Sequence, residues 1–162
     1  MDQFIIREGV REDVSFVMKL INELAEFEKA LQEVENTKEQ LEEDCFGKNK
    51  ICDFLIAESQ GKIVGMALYY IKYSTWKGKC VFLEDIIVTG SMRGKGIGSL
   101  LFEEVASVTA GLKVKRMEWQ VLDWNEPAIR FYKKYNANLD GEWINGKLSF
   151  DQLQKYARQQ KK

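Results

Sequence analysis

The residues with the plainest chemical potential lie between positions 88 and 99, Val-Thr-Gly-Ser-Met-Arg-Gly-Lys-Gly-Ile-Gly-Ser. They join an apolar strand pattern to an amphipathic helix pattern. Glycines in such a turn let the backbone approach a ligand closely and aim free N–H groups outward at a helix N-terminus, a favourable place for phosphate. The P-loop spacing fails, because no Gly-Lys-Ser/Thr follows four variable residues. The dinucleotide fingerprint also fails: its third glycine would fall on Ser99, whereas the chain has Gly98. What remains is Arg-x-x-Gly-x-Gly, Arg93 to Gly98. Just upstream, Glu84 and Asp85 interrupt the otherwise apolar run from Phe82 to Val88. Alternation along a strand sends one of two adjacent side chains toward a buried layer. There it is either paired to a core cation or serves as a base beside a ligand cleft.

The composition narrows what those groups can do. The chain has no histidine, which removes Ser-His-Asp and Cys-His catalysis and His-ligated zinc. Acid–base chemistry falls to Asp, Glu, Tyr, Lys or Cys. The 24 Lys and Arg nearly balance 25 Asp and Glu, which argues against a nucleic-acid footprint. Cys45, Cys52 and Cys80 form no CxxC pair, so a disulfide framework is not expected and a reducing cytoplasm is the simplest home. No apolar run approaches the roughly 18 residues of a membrane span, and with the strand-like Phe4-Ile5-Ile6 so near the start no signal peptide is expected. The 162 residues suit a single domain, 1–162.

The elements that must position the chemistry follow from periodicity. Phe4–Arg7 reads as a first strand. Apolar residues from Val10 to Glu28 recur at helical spacing. Thr-Lys-Glu-Gln from Thr37 predicts a capping box opening a second helix that closes near Gly47. Between Glu23 and Asp44 stand nine carboxylates, either a solvated face or a wall for a cationic ligand. Phe54–Ser59 and Ile63–Tyr73 flank a Gln60-Gly61 hairpin turn, and Cys80–Val88 adds a third strand. Ile97, Leu100, Leu101, Val105, Val108 and Leu112 mark a further helix. Arg116–Leu122 is β-like, Asn125 caps a helix Glu126–Lys134 with Pro127 in its first turn, and Trp143–Phe150 is expected to be a strand before a basic end, Lys155 to Lys162. The pattern predicts an α+β domain with a mixed sheet.

On these motifs the chain resembles the GNAT superfamily of acetyl-CoA-dependent N-acetyltransferases, in particular its diamine (spermidine/spermine) and thialysine-acetylating branch. The resemblance rests on Leu24 to Glu28, Gly65 to Tyr70, Leu83-Glu84-Asp85, Arg93 to Ser99 and Trp124 to Lys133, and spans Ile6 to about Leu139. It implies a mostly antiparallel central sheet, splayed at the acetyl-CoA site and flanked by about four helices. It also implies a homodimer and no metal. Acetyl-CoA would set its pyrophosphate over Arg93, Gly94, Lys95, Gly96, Ile97, Gly98 and Ser99. Its pantetheine arm would pair with the backbone of Ile86, Ile87 and Val88, and with Asn125, which can equally be a plain N-cap.

The resemblance further assigns Tyr132 as general acid to the leaving thiolate and Glu84 as base to the attacking amine. A free thiol has a pKa of about 8.5 and an alkylamine about 10.4, so each needs a proton partner near neutral pH. Glu84 would act through a water; Tyr132 could instead be a core residue with its hydroxyl at a rim. Phe27, Glu28, Trp76, Glu84 and Asp85 match the acceptor end, where carboxylates and aromatic faces suit an ammonium. Trp76 could also be an ordinary loop aromatic. Three positions depart from the polyamine enzymes: Ser74 replaces an acid, Glu118 replaces a histidine, and the segment Leu139 to Trp143 is shorter, with Glu142 only loosely matched. The expected partner is a small cationic amine: a lysine analogue, diamine, amino alcohol or drug-like amine. A protein or peptide acetyltransferase, or a non-catalytic acetyl-CoA or polyamine sensor, are the competing functions.

Overall fold

The computed structural model describes residues 4–156, in two compact units divided after Gln120. In the first unit β1 (Phe4–Glu8), β2 (Asp53–Ser59), β3 (Lys62–Ser74), β4 (Gly78–Val88) and β5 (Met117–Trp119) form one sheet in chain order. The first four strands pair antiparallel, and β5 pairs parallel to β4. The expected mixed, mostly antiparallel sheet is therefore present. The β2–β3 hairpin turns through Gln60 at φ 50° and Gly61 at φ 72°, a left-handed pair that matches strand twist.

Helices α1 (Val14–Phe27) and α2 (Lys38–Phe46) cover one face of the sheet. Val14, Val17 and Leu20 of α1 and Leu41 and Cys45 of α2 pack with Phe54, Ile56, Met66, Leu68 and Ile87. Helix α3 (Ile97–Gly111) contacts β2, β3 and β4, burying Ile97, Leu101, Phe102 and Val105. Leu100 and Leu112, expected inside by spacing, are exposed, and Phe102 takes the inner position.

Several expected boundaries shift for local reasons. Helix α1 begins at Val14, because Arg11–Asp13 form a 3-10 turn in which Asp13 accepts the Val10 N–H at 2.9 Å. Only half of the capping box forms at α2. Thr37 Oγ1 accepts from Gln40 N–H at 3.2 Å, but Thr37 N–H donates to Asn36 Oδ1 at 2.9 Å, leaving the Gln40 side chain unused for this purpose. Strand β5 holds three residues rather than the expected seven, since only Val81 to Leu83 of β4 offer it pairing.

The second unit contains α4 (Glu126–Lys133), capped by Asn125 as expected, and α5 (Phe150–Gln154). The expected strand Trp143–Phe150 is absent. Residues 143–149 carry no regular structure, and Ser149-Phe-Asp-Gln152 closes a full capping box that starts α5 instead. Five α-helices stand among the described residues, where about four were expected. Of the basic end, residues 157–162 lie outside the described residues.

One ion pair fastens the start of the fold. Arg7 on β1 donates to both oxygens of Asp13 at 2.6 and 3.0 Å and to Glu58 Oε2 on β2 at 3.1 Å. Asp13 is 5% exposed, and the guanidinium holds its carboxyl below the ordinary range. Arg7→Ala strands that carboxylate, and urea unfolding at pH 7 is expected to show a loss of about 2 kcal/mol. A depressed carboxyl contributes stability above its unfolded value of 3.8 and loses it as pH falls through the folded value. The deficit of the variant should therefore close progressively below pH 3.8.

Candidate active site

Strand β4 carries the site because its pairing is irregular twice. Leu68 of β3 faces Asp85 while Tyr69 faces Leu83, so Glu84 is an extra residue, a β-bulge. The expectation that Glu84 and Asp85 point to opposite faces therefore fails. Asp85 shares its face with Leu68, which belongs to the core under α1 and α2. Glu84 Oε2 accepts a hydrogen bond from Tyr70 O–H at 3.0 Å, and Tyr70 packs against that same core. The bulge thus turns two consecutive carboxylates to one side.

Glu28, just past the end of α1, completes the acidic group. Burial, then the charges of Glu84 and Glu28, push the Asp85 carboxyl up to about 6. Burial raises Glu28 as well, and burial followed by the bond to Glu84 lifts the Tyr70 phenol to about 12. Among the described residues no cation is paired with Asp85. The core-cation alternative for this carboxylate is not what the structure contains. Most of the acidic stretch is solvated: Glu26, Glu33, Glu35, Glu39 and Glu43 are exposed, and only Glu23 and Glu28 serve the site.

The second irregularity is the separation of β5. Its pairing with β4 ends at Leu83, so the outer edge from Glu84 to Val88 has no strand partner. Thr89 N–H bonds back to Val64 on β3 at 2.9 Å. By alternation Ile87 also turns its amide inward, whereas Ile86 presents N–H and C=O, and Val88 its N–H, to the open edge, the Val88 carbonyl being taken by Arg93 Nε. The resemblance implies a sheet that opens at Ile86 to Val88, and the strand pairing ends just before them. Gly65 on β3, opposite Val88, lets this region pack tightly: a Cβ there would lie 2.8 Å from Ile87 O and 3.3 Å from Leu101 Cδ1.

Beyond the open edge, the chain makes a 3-10 turn at Gly90–Met92 and then the glycine loop. Gly94 and Gly96 have φ of 77° and 85°, and open space surrounds the position a Cβ would take. Gly96 is the N-cap of α3 and no side chain caps that end, so the first N–H groups, from Ile97, Gly98 and Ser99, face outward unclaimed by a cap. Arg93, exposed, is anchored three ways. Its Nε donates to Val88 O at 2.9 Å, its guanidinium lies 5.1 Å from the Phe27 ring centroid, and Glu23 stands 3.9 Å away. Lys95 is exposed beside it, with Nζ 3.6 Å from Met92 Sδ. These features fit an anionic, pyrophosphate-bearing ligand with an extended amide arm along β4.

Glu23 and Tyr70 were not singled out as site residues by sequence reasoning. Glu23 accepts from Thr89 Oγ1 at 3.0 Å and from Gly90 N–H at 2.8 Å, pinning the start of the glycine loop to α1. Tyr70 lay inside a matched segment, but its role depends on the bulge, which no pattern announced.

Other expected residues are distributed differently. Trp76 is 81% exposed in the β3–β4 turn. Glu84 lies six residues up β4 from Gly78, roughly 20 Å along the strand, so the structure does not bring Trp76 to the carboxylates of its own chain. Ser74 caps that turn, its Oγ accepting from Trp76 and Lys77 N–H at 3.3 and 3.2 Å. Glu118 bridges Lys72 at 2.7 Å and Arg116 at 2.5 Å. In the second unit, Asn125 Oδ1 accepts from Ala128 N–H at 3.3 Å, which satisfies the N-cap reading. Tyr132 is buried at 5% exposure, its ring edge-on to Phe131. Glu142 is exposed, its N–H bonded to Asp140 at 2.9 Å.

Comparison with known proteins agrees with this geometry. Residues 17–137 match the acetyltransferase (GNAT) family. A thialysine N-epsilon-acetyltransferase of Mus musculus is 42% identical over 153 residues, covering 90% of this chain and 89% of that protein. A spermidine/spermine N(1)-acetyltransferase-like protein of Homo sapiens is 35% identical over 85% of this chain and 21% of its own length. Among solved structures, an integron cassette protein from the mobile metagenome of V. cholerae superposes with a TM-score of 0.77 at 23% identity, covering 96% of this chain and 98% of its own.

The uncompensated Asp85 has a measurable signature. Its folded carboxyl value, about 6, lies above the unfolded 3.8, so the folded state holds the proton more tightly. Stability is then full below 3.8 and falls as pH rises through about 6. Asp85→Asn removes that penalty. Thermal melts are expected to show it more stable than the parent at pH 7.5 by about 1–2 kcal/mol, after discounting for solvent screening, and equal to it at about pH 3.

Proposed function

The chain belongs to the acetyltransferase (GNAT) family, whose members use acetyl-CoA, and from that premise we propose that it acetylates the side-chain amine of a small, lysine-like acceptor. The observation that carries the reading is the adjacency, on one strand, of an acidic cluster and an open amide edge. Glu84, Asp85 and Glu28 supply negative charge for an ammonium, and close by on the same strand Ile86 and Val88 offer hydrogen-bonding backbone to the donor. Nucleophile and acyl group then meet without either crossing the sheet.

Arg93, Lys95 and the N–H groups at the start of α3 would hold the pyrophosphate, with Ile86 and Val88 along the pantetheine arm. Acetyl-CoA supplies an activated thioester. Glu84, hydrogen-bonded by Tyr70 and exposed to solvent, is suited to accept the amine's proton through water. Tyr132 is the candidate to protonate the departing sulfur, since a phenol holds its proton at neutral pH yet can deliver it to a thiolate within hydrogen-bond reach. Asp85 and Glu28 attract the ammonium, so acceptor affinity should weaken as pH falls through about 6, where Asp85 takes up a proton.

One feature favours a lysine analogue over a long polyamine. The Lys72–Glu118–Arg116 group, farther along β3 and β4, carries two cations against one anion. It does not suit a second or third ammonium, and an acceptor ending in a carboxylate is compatible with it. The relatives named for thialysine point the same way.

Release of free thiol from acetyl-CoA, recorded with thialysine, ornithine, putrescine and spermidine, tests the reading. Thialysine is expected to give the highest kcat/KM, and spermidine turning over faster would reverse the assignment. Glu84→Gln and Tyr132→Phe should each lower kcat by about 10²-fold or more while leaving acetyl-CoA binding intact by calorimetry. Full turnover by the double variant would remove both roles.

A further inference from the structure

Away from the candidate active site, Cys45 and Cys52 approach each other inside the core. Cys45 sits in the last turn of α2, 1% exposed, and Cys52 immediately before β2, 9% exposed. Their sulfurs are 3.2 Å apart and both are free thiols. The connection between them is held closed by three contacts to one carbonyl: Ile51 N–H, Cys52 N–H and Cys52 Sγ lie 2.8, 3.3 and 3.7 Å from Asp44 O. A disulfide needs about 2.05 Å between sulfurs, so a closure of roughly 1.2 Å suffices and the backbone is already constrained. A cavity of about 340 Å³, lined by Cys45, Phe46, Lys50, Asp53 and Tyr69 among others, opens against Cys45, whose sulfur is the immediate neighbour of Cys52. It is ample for a molecule the size of hydrogen peroxide.

We propose that Cys45 and Cys52 form an oxidation site, a dithiol that hydrogen peroxide converts to an intramolecular disulfide joining the end of α2 to the start of β2. The two thiols are not equivalent. The bond between the sulfurs lowers the Cys52 thiol against the opposing effects of burial and the charges of Asp44 and Asp53, while the same bond and burial push Cys45 up. The Cys52 thiolate attacks the O–O bond, forming a sulfenic acid and releasing hydroxide, which takes a proton to become water. Cys45 then attacks the Cys52 sulfur, the S–O bond breaks, and the departing hydroxide carries the Cys45 proton away as a second water. Two thiols and one peroxide thus give one disulfide and two waters. The bond would lie within the cluster that seats Val14, Val17 and Leu20, bracing α2 against the sheet. Cys80, fully buried on β4 with its sulfur 3.6 Å from Gly78 O, provides an internal control.

The sequence itself supplies the assay. Lys48 and Lys50 lie between the two cysteines, so trypsin separates Glu39–Lys48 from Ile51–Lys62 unless a disulfide joins them. The full-length folded protein, treated with peroxide, blocked with a maleimide and digested, is expected to yield the joined peptide. Its mass should be about 2 Da below the sum of its parts, and dithiothreitol should split it. Two of the three thiols should be lost, with Cys80 still alkylated after denaturation, and Cys80→Ser should behave identically. Cys45→Ser and Cys52→Ser should each give none of the joined peptide. Because either variant could misfold, the wild-type map decides. Recovery of Cys45 and Cys52 in separate peptides, alkylated or as sulfinic acids, or their capture in intermolecular dimers, overturns the proposal.

Discussion

Everything specific about this molecule depends on the failure of β4 to stay paired. A regular strand between β3 and β5 would have sent Glu84 and Asp85 to opposite faces and filled both edges with ladder hydrogen bonds. The extra residue at Glu84 breaks the alternation, and β5 departs after Leu83. The bulge brings two acids to one face, and the departure leaves the backbone of Ile86 and the Val88 N–H without a strand partner. The two breaks fall on neighbouring residues. The parity change at the bulge also decides which amides face the gap: Val81 bonds outward to Arg116, and past Glu84 it is Ile86 and Val88 that point that way.

Such an arrangement opposes stability. Asp85 is held near Glu84 and Glu28 with no cation, and its carboxyl is raised accordingly. The fold can carry this because the same face is anchored by apolar contacts a few residues away. Ile87, Met66 and Leu68 are buried against α1, and Arg7, Asp13 and Glu58 fix the far edge of the sheet. A destabilised carboxylate beside a rigid core is a common way of storing affinity for a cation until one arrives.

What could be read from the sequence follows the range of the interactions involved. Hairpins, helix faces and the Asn125 cap depend on neighbours within a few residues, and they appear as the spacing suggests, except that Leu100 and Leu112 of α3 are exposed. The α5 cap was written in Ser149 and Gln152, yet the apolar Trp143 and Ile144 suggested a strand; with no partner strand beside them, both are exposed. The bulge is a different matter. It is a mismatch between two strands, visible only once Leu68 and Tyr69 are set against β4, and so Tyr70's bond to Glu84 had no signature in either segment. Resemblance supplied the roles of Glu84 and Asp85, and pairing supplied their common face.

Helix α1 joins the two charge regimes that a balanced composition conceals. Its Glu23 fastens Thr89 and Gly90 and stands beside Arg93, while Phe27, four residues on, lies under the same guanidinium. The next residue, Glu28, raises Asp85. One turn of helix therefore contacts both the cationic loop and the acidic cluster. A carboxylate at 23 holds the cation-bearing loop in place, and a carboxylate at 28 belongs to the group that would attract an ammonium. The near-zero net charge is the sum of these opposed patches, and α1 keeps them adjacent without letting the acids of one neutralise the bases of the other.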